Sequence, residues 1–367
     1  MLRNNILYSY NDVMIQPAMI SKVESRSQCN PYKNGKLPIF TAPMSTVVDE
    51  NNFETFDKNG IIPILPRNIK FQTRYNYALR GLWAAFSLNE FKEHFCNPMA
   101  INYSIDTWKV LIDVANGHMK QLYDAVKMAK SINGDKICIM IGNIANPQTY
   151  YEAYLAGADL VRVGIGSGSG CITSSNTGIH YPMASLVNDC YNMKLSIYNS
   201  NNHLNKTWEQ MPKIIADGGI RNYSDVNKAL SLGSDYVMAG SVLASLIESA
   251  GETFELKKDG SRYYYKKSNN INYEEFLKMK PNTLYKEFYG MASKEGQIDI
   301  NGKKTKTSEG IKKDIPITGS IQSWSKNMAD YLRSVMSYCN IFDIKDFNPK
   351  NVIVNLISTE TKNSINK

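Results

Sequence analysis

Eight apolar runs of strand length recur along the chain, at 38–42, 61–65, 83–86, 109–114, 137–142, 160–164, 213–217 and 235–239. Each is continuous and does not alternate with polar residues. That is the pattern of strands buried on both faces, as in a parallel sheet covered by helices. Segments of helical period follow most of them, at 49–58, 70–80, 117–131, 147–156, 182–193, 222–232 and 241–248, with a shorter one at 88–95. Eight such units favour a closed (β/α)8 TIM barrel of α/β class over an open doubly wound sheet. In a barrel the chemistry belongs to the loops that leave the C-terminal ends of the strands.

The rest of the chain is organised around that unit. Residues 1–350 read as one barrel domain. The Lys/Asn/Tyr-rich stretch 251–285 reads as a polar hairpin insertion, and the polar, glycine-punctuated stretch 292–313 as a mobile lid or flap. Both are too long for ordinary connections. A last helix is expected over 324–338, followed by a tail at 351–367 whose final residues fray.

Composition excludes several classes. No run approaches the 18 apolar residues of a membrane span and the start lacks a secretory signal, so the chain reads as cytoplasmic with no membrane partner. Six cysteines, at 29, 96, 138, 171, 190 and 339, stand singly with no CxxC pair, which argues against a disulfide scaffold or a structural zinc site. The net charge of +8 suits an anionic partner, but the lysines are dispersed and the runs at 303–306 and 312–313 are not interleaved with aromatics. No nucleic-acid partner is expected.

Three strand ends carry candidate chemistry. After the sixth strand, Gly166, Gly168 and Gly170 alternate up to Cys171, with Thr173 beyond. The glycines force a carbonyl-rich loop that displays the thiol; the ordinary alternatives are a plain turn and a small buried hydrophobe. A thiolate here would attack an electron-poor carbon, and the loop carbonyls could hold a monovalent cation. After the seventh and eighth strands, Asp217-Gly218-Gly219 and Gly240-Ser241 read either as tight turns or as a phosphate cradle, with Asp217 free for ribose hydroxyls. Asp113 ends strand four and either caps a helix or faces a ligand. His118 reads as a surface or packing histidine and not a base, and Glu309 in the lid as a solvated charge.

Together these segments resemble the IMP dehydrogenase and GMP reductase family over nearly the whole length. The resemblance rests on YNDVMIQP at Tyr10, SRS at Ser25, APMSTV at Ala42, GIGSGSGCIT, IIADGGIR, GSVLA, FYGM and SEG. The sequence has no room for the CBS modules that family dehydrogenases usually insert. Its lid also lacks their Arg-Tyr pair, since Arg262-Tyr263 precedes FYGM. These features, with DVANGH and the short lid, look like the reductase branch; the alternative is an IMP dehydrogenase without CBS modules, making XMP from IMP, NAD and water.

The resemblance implies NADPH-dependent reductive deamination of GMP to IMP and ammonia through a Cys171 thioimidate, with Thr173 and Glu309 assisting the proton transfer. It implies nucleotide contacts at Asp217, Gly218, Gly219, Gly240, Ser241, Gly290, Met291, Ala292, Lys306, Ser308 and Gly310. Cofactor contacts would fall at Ser25, Arg26, Arg67, Asp113, Val114, Ala115, Ile165, Gly166, Ser334 and Ser337, some across a subunit boundary of a homotetramer. Potassium would sit on carbonyls at Gly166, Gly168 and Cys171. Ser174 stands where the family often has a basic residue, and LPRN leaves only Arg67 after strand two.

Overall fold

The protein is described from a computed structural model covering residues 6–97, 107–200, 207–257, 259–265, 273–279 and 283–365. All eight expected barrel strands form. After an N-terminal strand β1 (Val13–Gln16) they are β2 (Ile39–Thr41), β3 (Ile64–Leu65), β4 (Trp83–Phe86), β5 (Trp108–Asp113), β6 (Ile137–Ile144), β7 (Leu160–Val163), β8 (Lys213–Asp217) and β9 (Tyr236–Ala239). They pair in parallel in the order β2-β9-β8-β7-β6-β5-β4-β3. A bridge between Phe40 and Ile62, with Thr41 N–H donating to the Ile62 carbonyl at 2.9 Å, joins the two ends. The sheet is a closed (β/α)8 barrel.

The helices outside it are α1 (Phe53–Lys58), α2 (Phe71–Leu79), α3 (Leu88–Phe95), α4 (Lys120–Asn133), α5 (Pro147–Ala156), α6 (Thr173–Thr177), α7 (Met183–Ser200), α8 (Tyr223–Ser231) and α9 (Ser241–Ala244). Local chemistry sets several of their starts. Ser87 accepts from the Glu90 amide and Glu90 answers on the Ser87 amide, a capping box that begins α3. Asn146 caps α5, with Pro147 at its first position and left-handed Gly157 past its end.

Side chains alternate along each strand between the helix layer and the barrel interior. Phe40, Ile64, Trp83, Ala85, Leu111, Met140, Leu160, Ile215 and Met238 fill that interior as one cluster. Two residues further on, the same parity brings Asp113, Gly142, Arg162 and Asp217 to the top of the barrel. There the packing turns from apolar to charged. A Cβ at Gly142 would lie 2.5 Å from the Arg162 Cβ, so only glycine leaves room for that side chain.

Beyond the barrel, β10 (Thr253–Leu256), β11 (Arg262–Tyr264), β12 (Leu284–Phe288) and β13 (Lys313–Pro316) form a second, antiparallel sheet in the order β11-β10-β12-β13. The expected hairpin is the β10–β11 half of it; much of the remainder of 257–285, apart from α10 (Tyr273–Lys278), lies outside the described residues. The lid segment between β12 and β13 carries a helix, α11 (Lys294–Asn301). The final helix α12 (Ile321–Tyr338) starts one turn earlier than expected, because Ser320 and Ser323 close a capping box there.

The tail differs from the expectation of fraying. Strand β14 (Ile353–Leu356) pairs antiparallel with β1, and helix α13 (Thr359–Ile365) follows. Lys362 makes an ion pair with Asp12, which ties the end of the chain to its beginning.

Candidate active site

The loop after β7 and the returning arm of the flap are joined by backbone bonds. Ile172 N–H donates to the Glu309 carbonyl at 3.0 Å, Ile311 N–H donates to the Gly170 carbonyl at 2.9 Å, and Cys171 bridges antiparallel to Gly310. On the flap's other side Glu309 N–H donates to the Ala292 carbonyl at 3.0 Å. Glu309 is therefore fixed between the cysteine loop and the strand end that carries Gly290 and Met291. It is not the freely solvated charge that a lid glutamate usually is.

This clasp assembles three side chains. The Cys171 thiol donates to Thr173 Oγ1 at 3.2 Å, and Thr173 Oγ1 donates to Glu309 Oε2 at 2.8 Å. Thr173 is the first residue of α6, two positions past the cysteine, so the turn into the helix sets the first contact. The flap supplies the second. A hydroxyl between a thiol and a carboxylate can relay a proton from one to the other or to a bound leaving group.

The three open onto a cavity of about 600 Å³ above the barrel mouth, a size suited to a small-molecule ligand. Of the candidate residues it is lined by Arg67, Asp113, Val114, Ala115, Ile165, Gly166, Gly168, Asp217, Gly218, Gly219, Gly240, Ser241, Gly290, Met291, Ala292, Lys306 and Gly310, besides the triplet. The structure thus brings almost the whole expected constellation together.

Five candidates do not line it. Ser308 lies in the flap beside Glu309 but outside the cavity lining. Ser25 and Arg26 lie at the Arg26–Gln28 turn, which packs against α12, where Ser334 and Ser337 sit. Ser21 Oγ donates to the Ser337 carbonyl at 2.7 Å in the same region.

Sequence reasoning missed the group that organises the mouth. Arg162, only 7% exposed, gives Nη1 to Asp113 Oδ1 at 2.7 Å and Nη2 to Asp217 Oδ2 at 2.9 Å. Asn143 Nδ2 adds a 2.7 Å bond to the same Asp217 oxygen. Burial works against the charge on Arg162, but Asp217 and Asp113 outweigh it and hold its pKa above the ordinary value. Asp113 is therefore neither a simple helix cap nor isolated, and Asp217 is aimed by the arginine. The available signal was an arginine inside an apolar strand run, at the same parity as the interior residues.

His118 is an exposed surface histidine that pins neighbouring backbone: Nε2 accepts from the Ala145 amide at 3.1 Å and Nδ1 faces Thr149 Oγ1 at 3.0 Å. Partial burial of the ring lowers its pKa, as expected for a neutral ring in that role. The apparent Arg-Tyr pair belongs to the second sheet, where Arg262 binds Asp314 at 2.6 Å, and neither residue lines the cavity.

Two polar atoms at the cavity wall have no partner among the described residues. Ser167 Oγ and Arg67 Nε, both on cavity-lining residues, are buried without a hydrogen-bond partner. The cavity's size and its mixed polar and apolar lining suit a polar small molecule. Internal donors reach several of the loop carbonyls. Gly166 accepts from Ser174 Oγ at 3.2 Å, Gly168 from the Cys171 amide at 3.0 Å, and Ser169 from the Lys313 ammonium. A carbonyl oxygen has two lone pairs, so a cation on Gly166, Gly168 and Cys171 would share oxygens of a loop whose shape internal donors already hold.

Fold and cavity together define a barrel enzyme whose reactive groups stand at the C-terminal ends of its strands. Residues 98–366 match the family described as IMP dehydrogenase / GMP reductase domain, and the chain belongs to that family of oxidoreductases. It is 30% identical to a GMP reductase of Staphylococcus epidermidis over 362 residues, covering 95% of this chain and 96% of that protein. A GMP reductase of Staphylococcus carnosus is 30% identical over 353 residues, 92% of this chain and 93% of the relative. One from Staphylococcus aureus is 29% identical over 363 residues, 95% and 96% of the two. Among the described residues no helix is long and apolar enough to cross a membrane.

Proposed function

We propose that this enzyme reduces GMP to IMP and ammonia with NADPH. The observation that carries the reading is the Cys171–Thr173–Glu309 line of hydrogen bonds at the cavity, at 3.2 and 2.8 Å. The purine C2 of GMP is the electron-poor carbon a cysteine can attack, and its amino group is a poor leaving group that needs a proton.

In this reading Cys171 Sγ forms a bond to C2 and the C2–N bond breaks, with the leaving amine protonated through Thr173 and Glu309. The cofactor, when bound, supplies a hydride to C2. The C–S bond then breaks and Cys171 regains its electron pair. GMP, NADPH and two protons become IMP, ammonium and NADP, so atoms and charge balance. Asp217 would hold the ribose, Gly218, Gly219, Gly240 and Ser241 the phosphate, and Gly290, Met291, Ala292, Lys306, Ser308 and Gly310 the base. Arg67, Asp113, Val114, Ala115, Ile165 and Gly166 would face the cofactor.

The same reading has the enzyme act in the cytoplasm as a homotetramer. Ser25, Arg26, Ser334 and Ser337, which do not line their own cavity, would then meet a cofactor held by a neighbouring copy. No step runs through potassium. The relatives named as GMP reductases support the reductase over the dehydrogenase, and so does the position of Arg262-Tyr263 outside the cavity lining.

The test is nicotinamide absorbance on purified protein, with GMP and NADPH in one cuvette and IMP and NAD in another. GMP-dependent loss of NADPH with ammonia release is expected, and Cys171→Ala should abolish it while leaving GMP binding intact. NAD reduction that depends on IMP, with no activity on GMP, would overturn the reading in favour of the dehydrogenase.

A further inference from the structure

The two ends of the flap leave the second sheet side by side. Strand β12 runs through Phe288 and Tyr289 into Gly290–Ala292, and β13 receives the chain from Glu309–Lys312. Whatever fixes the separation and register of β12 and β13 therefore fixes where Glu309 stands over Cys171.

That register has a built-in electrostatic problem. Glu287 on β12 lies directly opposite Asp314 on β13. Like charges at facing positions push strands apart. Glu287 is only 7% exposed, so solvent does little to screen it. Two cations answer the pair. Lys312, two residues before Asp314 on the flap's returning arm, lies 2.7 Å from Glu287 Oε1. Arg262 of β11 spans both acids, with Nη2 at 2.6 Å from Asp314 Oδ2 and Nη1 at 3.8 Å from Glu287 Oε1.

The hairpin adds two further holds. Tyr264 donates its hydroxyl to Glu287 Oε1 at 2.9 Å, and the Arg262 guanidinium stacks 4.8 Å above the buried Phe254 ring. On the other face of β12, Lys286 is buried and donates to the carbonyls of Ser249 and Gly251 at 2.8 and 3.0 Å. The β10–β11 hairpin thus grips both flap stems through one arginine.

We infer that Arg262 and Tyr264 are positioning residues: the polar hairpin clamps Glu287 and Asp314 and so sets the register of the flap that delivers Glu309 to the Cys171–Thr173 pair. This rests on the reading of Glu309 as the proton-transfer partner, and it gives the hairpin a purpose that the sequence alone left unassigned. The residues act on the flap stems and touch neither nucleotide nor cofactor.

The test compares the full-length enzyme with Arg262→Ala, Arg262→Lys and the charge exchange Arg262→Asp/Asp314→Arg. Arg262 is substantially exposed, so the first variant should fold. Two quantities are read: the rate of Cys171 alkylation by iodoacetamide, followed by peptide mass spectrometry, and kcat against KM with GMP. In Arg262→Ala, alkylation should rise and kcat should fall by about two- to fivefold, the range one ion pair of this exposure can command, with KM for GMP unchanged. Arg262→Lys and the exchange should recover part of both.

Wild-type alkylation and wild-type kcat in Arg262→Ala would overturn the inference. So would a lowered kcat with unaltered alkylation, since the flap would then not have moved. If the wild-type protein fails to turn over GMP, the functional reading falls alone, and alkylation still decides whether the hairpin sets the flap.

Discussion

Glu309 meets Thr173 at 2.8 Å across 136 positions of sequence, and backbone bonds on both sides of Glu309 leave it little choice of partner. A carboxylate held this way can pass a proton to the leaving amine but has no direct part in hydride delivery. Glu309→Gln keeps the size and one hydrogen bond while removing the titrating group. Deamination should therefore slow by about 10²- to 10⁴-fold, the usual contribution of a positioned acid or base. Hydride transfer, read in the reverse direction from IMP and NADP without ammonia, should slow far less. Rapid-quench measurement of the two half-reactions decides it, and equal slowing of both would remove Glu309 from the acid role.

Cys171 is the only member of the line that would bond to the nucleotide, so trapping it is a separate check. Enzyme mixed with GMP and denatured in acid during turnover should carry a purine nucleotide on the peptide containing Cys171, detectable by mass. The adduct should accumulate when NADPH is withheld, because the C–S bond then has no hydride to release it. Its absence under both conditions would exclude covalent chemistry at this thiol.

Much of this was legible in the sequence, for identifiable reasons. The barrel strands are buried on both faces, so their apolar runs are continuous and visible without any partner. Cys171, Thr173 and the glycines lie within eight residues of each other, so one loop displays them. Arg162 escaped because its role depends on Asp113, Gly142 and Asp217, three positions on three other strands that only barrel closure brings together. The second sheet escaped for a similar reason: β12 and β13 pair across the whole flap, and LYKEF buries Lys286 and Glu287, which sequence patterning assigns to a surface. Strand β14 is mostly exposed and finds its partner near the other end of the chain, so its four residues gave no periodic signal.

The arginine at the barrel mouth should matter for stability as well as binding. Arg162→Met leaves Asp113 and Asp217 facing each other in a buried layer with their shared cation gone. Removing one partner of a buried ion pair typically costs about 3–5 kcal/mol. Urea unfolding should register a loss of that order, and GMP binding should weaken because Asp217 is no longer aimed. Adding Asp113→Asn and Asp217→Asn to the Arg162→Met variant should restore much of the stability but not the binding. A triple variant as unstable as the single one would mean that the loss came from packing around the introduced methionine side chain and not from charge.

The cysteine loop should prove indifferent to the choice between potassium and sodium. Its carbonyls already accept from Ser174, Cys171 and Lys313, and a ligand that binds only the folded protein would raise its melting temperature. Thermal unfolding and initial rates at matched ionic strength should coincide in the two salts. A potassium-specific rise in both would show that the internal donors yield to a cation, and that the loop is a metal site after all.

Behind β4, Arg74 and a half-buried Glu90 form a charge pair that predicts how the fold answers to acid. Arg74 Nη2 lies 2.6 Å from Glu90 Oε1, and the Ser87 amide donates to Glu90 Oε2 at 2.7 Å. Burial alone would raise the Glu90 pKa, but the bonds from Arg74 and Ser87 outweigh it and hold it below the ordinary value of 4.5. A carboxylate depressed in the folded state binds its proton more readily when unfolded. Its stabilisation is therefore complete above the unfolded pKa and is lost as pH falls through the folded one. Glu90→Gln should cost about 1–3 kcal/mol at neutral pH, the worth of a charge-assisted bond. As the solution is acidified below 4.5, the wild type should lose stability faster and the gap between the two should narrow. Parallel urea titrations across that window measure the gap directly; a constant difference would mean that Glu90 supports α3 through its shape and not through its charge.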